Sequence, residues 1–143
     1  MKKSIEDVGR DYIAYAKYPS PAKDAPEKVQ AEALDLGWLV EDDPEKAWEA
    51  IRYVIHHYTE TDLLQGAEPE PRRVVGLLAA GPIEDFLSLY GPNYIDRVEA
   101  EASRDRRVAW ALGGVWQATM PDDVWDRIQR VAIDTGCGQD PTK

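Results

Sequence analysis

The sequence predicts an all-α protein, a single domain spanning residues 1–143 with seven or eight short helices arranged as antiparallel helical hairpins. Three observations carry that expectation. Apolar residues recur at three- and four-residue steps along most of the chain. No stretch alternates apolar and polar residues as a half-buried strand would, and no Asn-Gly or Asp-Gly pair signals a hairpin. Proline and glycine fall between the apolar runs, where short turns would join antiparallel neighbours.

Each element has its own signals. Ser4-Ile5-Glu6-Asp7 is an N-cap with an acidic residue three positions on, and Ile5, Val8, Tyr12 and Tyr15/Ala16 follow at helical spacing. Tyr18-Pro19-Ser20-Pro21 stops that helix, so residues 1–23 form an N-terminal helix and a Pro-rich turn. A second helix opens at Asp24-Ala25-Pro26-Glu27 and carries Val29, Ala33, Leu36 and Val40 as one stripe, which Leu34 and Trp38 are expected to widen. Asp43 caps a third, with Pro44 at its first position and Ala47, Trp48, Ile51, Val54/Ile55 and Tyr58 on its core side. Residues 60–71 form an acidic, Pro-containing loop, with Leu63 and Leu64 as tethers.

Beyond that loop, Arg72 to Leu78 reads as helix until Gly81-Pro82 breaks it. Phe86, Leu87 and Tyr90 form the apolar side of the next helix. Gly91-Pro92 is expected to end it through a left-handed glycine and to open another, marked by Tyr94/Ile95, Val98 and Ala102. Val108, Leu112, Val115 and Trp116 mark a helix from about Asp105, and Pro121 begins the last, with Val124/Trp125, Ile128 and Val131/Ala132. Gly136-Cys137-Gly138 leads into a polar tail, residues 135–143. From Asp43 onward the helices suit HEAT-like pairs, yet no motif repeats; the sequence allows a globule or a short stack.

Composition narrows the function classes. With 43% hydrophobic and 31% charged residues, the 143-residue chain has the means to bury a core. A formal net charge of −10 argues against nucleic acid and against anionic membrane surfaces as partners. No apolar run reaches the roughly 18–20 residues of a bilayer span, and the charged N-terminus lacks the apolar core of a signal peptide. A single cysteine, Cys137, excludes an internal disulfide, so the expected compartment is the cytoplasm.

The charge is unevenly placed. Residues 1–23 hold five Lys/Arg and three Asp/Glu, residues 24–71 hold three and thirteen, and residues 72–143 hold nine and eleven. Glu41, Asp42, Asp43, Glu45 and Glu49 cluster at the start of the third helix and are candidate contacts for a basic protein partner. Trp110 joins them, because it stands off the Val108/Leu112/Val115 stripe and exposed tryptophans anchor interfaces.

Signals for chemistry are few. Gly113-Gly114 lies in a helical pattern with no preceding strand, so close packing explains it better than phosphate binding. His56 and His57 are adjacent and point about 100° apart on a helix, which keeps them from sharing a metal; no metal site or cofactor is expected. Their expected places are one on the surface and one edging the core. Cys137 lies between glycines, a poor setting for a preorganised thiolate. Glu84/Asp85 and Asp122/Asp123 complement helix N-termini, and with Glu99/Glu101 they read as solvation and capping, so no catalytic residue is assigned. Arg104, Arg106 and Arg107 form either a local ion-pair cluster with Asp105 or an anion-binding corner beside a pocket between helices.

One resemblance extends this reading. Gly81-Pro82-Ile83-Glu84-Asp85-Phe86-Leu87, Tyr90-Gly91, Ile95, Glu99, Glu101-Ala102, Asp105, Leu112 and Val115-Trp116 resemble the pattern of an uncharacterised bacterial domain-of-unknown-function family. Asp43-Pro44-Glu45 and Ala47-Trp48 are similar to that family's entry helix, so the likeness covers roughly residues 43–130. It implies an intracellular bacterial protein and brings no activity or catalytic residues. Two function classes remain, a small acidic interaction module, in concrete form an immunity or antitoxin-type inhibitor of a basic partner, or a small-ligand binder or enzyme with a pocket near Arg104–Arg107; a structural oligomerisation domain is a third possibility.

Overall fold

The computed structural model describes residues 3–134; Cys137 and the tail 135–143 lie outside the described residues. It is 78% helical with no strand among them. Eight helices follow in order: α1 (Ile5–Ala16), α2 (Pro21–Asp24), α3 (Glu27–Asp42), α4 (Pro44–His56), α5 (Glu60–Leu64), α6 (Pro69–Arg104), α7 (Arg106–Leu112) and α8 (Asp122–Val131).

Local signals set the helix starts. The Ser4 hydroxyl accepts from the Asp7 N–H at 3.1 Å, and the Asp43 carboxylate accepts from the Lys46 N–H at 3.2 Å behind Pro44. Asp105 caps α7 by accepting from the Arg107 N–H. Each cap satisfies a donor that the helix itself leaves unpaired.

The core forms around α4, whose Ala47, Trp48, Ala50, Ile51, Val54 and Ile55 are all buried. Helices α1, α3, α6 and α7 pack around it, joining partners distant in sequence. The result is one shared core rather than a stack in which each pair touches only its neighbours. Trp48 stacks on Phe86 with ring centroids 5.5 Å apart, and Phe86 meets Tyr94 edge-on at 5.0 Å.

Several stretches depart from the sequence expectation: the Pro-rich turn holds the short helix α2, and the helix expected to carry Val115 and Trp116 ends at Leu112. Residues 60–71 are not a loop throughout: Thr59 and Asp62 form a reciprocal capping box that starts α5, and Leu63 is fully buried. Gly66, at φ +64°, makes the left-handed turn toward α6, where the Arg72 guanidinium donates to the carbonyls of Leu63 and Leu64.

Gly81-Pro82 does not break the chain into two helices. A π-helical segment, Ala79–Ile83, carries α6 through it. The wider turn makes room for the Pro82 ring, which in a regular α-helix would press on the carbonyl four residues back. Gly91-Pro92 does not end a helix either, and Gly91 is not left-handed. Pro92 is exposed and its ring removes one bond, to the Ser88 carbonyl, at a cost of about 3 kcal/mol or more. Burial of Phe86, Leu87, Ile95 and Val98 on either side outweighs it, at roughly 1.5–3 kcal/mol per side chain. Gly91 is small because Val124 lies against it: an added Cβ would sit 2.9 Å from Val124 Cγ1.

The continuous α6 is long enough to cross a membrane and holds a window of mean hydropathy 1.3. Of its apolar side chains, Val74, Val75, Leu78, Ile83, Phe86 and Leu87 are buried in the protein core, whereas Leu89 is exposed.

Candidate functional site: an acidic-rimmed apolar groove on α3 and α6

Helix α3 buries one narrow stripe, Ala33, Leu36, Leu39 and Val40. Leu34 and Trp38 each lie two positions from Leu36, about 160° away around a helix of 3.6 residues per turn. They therefore do not widen the core stripe, as the sequence reading expected, but face outward, 59% and 55% exposed. On α6, Leu89 lies two positions past the buried Leu87 and is likewise 57% exposed. The fourth exposed large apolar side chain among the described residues is Trp116, at 41%, although its spacing sets it on one apolar stripe with Val108, Leu112 and Val115; Trp48 and Trp125, on the stripes of their own helices, are buried.

Leu34, Trp38 and Leu89 converge on one groove. With Gly37, Val40, Glu41, Asp85, Ser88 and Thr119 they enclose about 510 Å³ between α3 and α6. A second cleft continues it past Leu34 and Gly37 to Ala31, Tyr12, Tyr15 and Pro82. A third lies across Trp38, toward Asp42 and Asp43. The Tyr90 hydroxyl fixes the spacing of the walls by its contacts with the carbonyls of Val40 and Glu41 at the end of α3, 2.7 and 3.0 Å away. Ser88 contributes a hydroxyl oxygen that is out of contact with solvent and has no hydrogen-bond partner.

The structure separates the carboxylates that the sequence grouped. Asp43 caps α4. Glu45 accepts from Arg97 at 2.6 Å and from Tyr94 at 3.0 Å, and these two bonds hold its carboxyl below the usual carboxylate range. Glu49 pairs with Arg52 one turn on. Glu41 and Asp42 are exposed and make no side-chain bond among the described residues; the same holds for Asp85 on the facing wall. Glu41 and Asp85 rim the groove itself, while Asp42 lies in the neighbouring cleft, which Lys46 and the ion-paired Lys3 also line.

The remaining candidates lie elsewhere. Trp110 packs partly buried beneath the Arg72 guanidinium, 5.8 Å from its ring centre, in a separate cleft shared with Trp116 and Ile133. Arg107 is held in a two-pronged pair by Asp105 and donates to the Tyr58 carbonyl. Arg106 faces Glu60 at 3.9 Å, and Arg104 lines the same shallow depression with Thr59 and Glu60. Burial favours the neutral form of Asp105, but Arg107 outweighs it and keeps that carboxyl below its ordinary range.

His56 meets Asp105 at 3.0 Å and His57 lies edge-on to Tyr58, both histidines being largely exposed. No group of three or more metal-ligating side chains occurs among the described residues. Glu84 accepts from the Trp116 N–H, Glu99 pairs with Arg127, Asp122 accepts from Gln117, and Glu101 is buried against Trp48 and Arg52. Gly114 packs on Ala79 of the π-helical segment, where an added Cβ would come within 3.1 Å.

Fold and groove together define an all-α protein with an apolar cleft and an acidic rim. The chain belongs to the DUF6869 family, a family of unknown function, whose match spans residues 20–136 and so takes in α3 and the whole groove. Nothing among curated proteins or solved structures matches it.

Proposed function

We propose that this protein is a protein–protein interaction module that docks a basic partner on the α3/α6 groove, in concrete form as an inhibitor of the immunity or antitoxin type acting in the cytoplasm. One observation carries the reading: of the four large apolar side chains exposed among the described residues, three line a single groove. A folded domain gains by burying such groups, and a clustered trio rimmed by polar residues marks a contact surface. The rim gives the partner's sign. Glu41, Asp42 and Asp85 are left unpaired while Asp43, Glu45 and Glu49 serve the fold. Unpaired carboxylates beside an apolar anchor steer a basic surface and set its register. The alternative, an anionic ligand at Arg104, Arg106 and Arg107, has less support, because Arg107 is already bound to Asp105 and Glu60 shares the depression.

A photo-crosslinking residue at position 38, in the native host, tests the reading. The expected outcome is capture of a basic protein, lost when Glu41, Asp42 and Asp85 are all changed to Lys and weakened by salt raised to about 0.5 M, several times the physiological level. Capture that survives both changes, or capture only from position 110, would overturn it.

A further inference from the structure

We infer that the groove is shaped for one amphipathic helix with apolar anchors on one face and Lys or Arg beside them, an inference that rests on the interaction-module reading above. Length is the first argument. The outer face of α3 that lines the joined clefts runs from Ala31 to Glu41, about 15 Å at 1.5 Å per residue, enough for three helical turns. The facing wall steps from Pro82 through Asp85 to Leu89, so both walls present contacts at three- and four-residue intervals, the spacing a docked helix returns.

Gly37 supplies the second argument. It stands in the middle of α3, where glycine is disfavoured relative to alanine, and an added Cβ there would meet nothing within 4 Å. Packing within the chain does not require it. Gly37 lines both clefts, and its bare backbone lets another helix come close at the waist of the groove.

Other occupants fit less well. An extended strand needs a sheet edge, and the described residues contain no strand. A second copy of this chain would bring Glu41, Asp42 and Asp85 against another acidic surface in a protein of net charge −10. A basic helix places its cations against those carboxylates.

Three synthetic peptides of about four turns each test the inference on the full chain: an amphipathic Leu/Lys helix, its Leu/Glu counterpart, and a scrambled Leu/Lys sequence of the same composition. The amphipathic Leu/Lys peptide should gain helicity on binding and shift amide resonances within residues 31–41 and 82–89. The scrambled peptide should bind about tenfold more weakly or worse, and the Leu/Glu peptide should not bind. Gly37→Leu and Leu89→Arg, checked for wild-type melting, should each weaken the Leu/Lys helix about tenfold. Equal binding of the scrambled peptide, or shifts centred elsewhere, overturns the helical occupant. If crosslinking at position 38 still captures a charge-dependent basic partner, the module reading survives that failure. If the peptide helix binds in the groove while native capture ignores the rim charges, the module reading fails alone.

Discussion

The Tyr90 hydroxyl lies 2.7 Å from the carbonyl oxygen of Val40, fifty residues earlier in the chain. It closes the end of α3 by reaching carbonyls that have no donor inside that helix, and it sets the distance between the two walls of the groove. Tyr90→Phe removes the hydroxyl and little else. It should lower stability by about 0.5–1.5 kcal/mol in urea unfolding, with helix content unchanged by circular dichroism. A wild-type midpoint would show that the wall is held by packing alone.

Two tryptophans ten residues apart should respond in opposite ways. Trp48 is 1% exposed, stacked on Phe86, with its indole N–H 3.4 Å from Glu101. Trp48→Ala should cost about 3–5 kcal/mol. Trp38→Ala removes a side chain that points outward, so its cost should stay within about 0.5 kcal/mol. Thermal melts of the two variants decide the matter, and similar losses would mean that α3 is turned differently.

Glycine substitutions discriminate open backbone from crowded backbone. Gly37→Ala should raise stability by roughly 0.5–1 kcal/mol, since the new methyl meets nothing and the unfolded chain loses freedom. Gly91→Ala should be destabilising, because its Cβ would press on Val124. Gly9→Ala should behave like Gly91→Ala, as a Cβ there would overlap the Tyr53 ring. Chemical denaturation of all three measures the contrast directly.

Acid should weaken the junction of α6 and α8 through Glu99. Its bond to Arg127 depresses the Glu99 carboxyl below its ordinary value. A depressed carboxylate contributes stability above its unfolded pKa of about 4.3, and that contribution disappears as pH falls through the lower folded value. Arg127→Met should therefore be less stable than wild type at neutral pH, with the gap narrowing as pH drops below about 4. A gap of constant size from neutral to strongly acidic pH would show that Arg127 acts by packing rather than by charge.

What the sequence determined by itself is local. The helical class follows from apolar periodicity, and the starts of α1, α4 and α7 from Ser4, Asp43 and Asp105, whose caps reach only two or three residues along the chain. The burial of Trp48 was legible because its neighbours at three- and four-residue steps are apolar on one side only. The outward turn of Leu34 and Trp38 was also written in their two-residue offset from Leu36, although a hydrophobic side chain is ordinarily counted toward the core. Other features needed the tertiary structure. Gly81-Pro82 and Gly91-Pro92 carry the local signals of helix breaks, and only burial on both sides of them outweighs that cost. Which carboxylates remain free was decided at long range as well. Glu45 finds Arg97 52 residues away, whereas Glu41, in the same acidic run, meets no cation. The net charge of a segment is a property of its composition. The charge it presents to a partner depends on which cations the fold brings beside it.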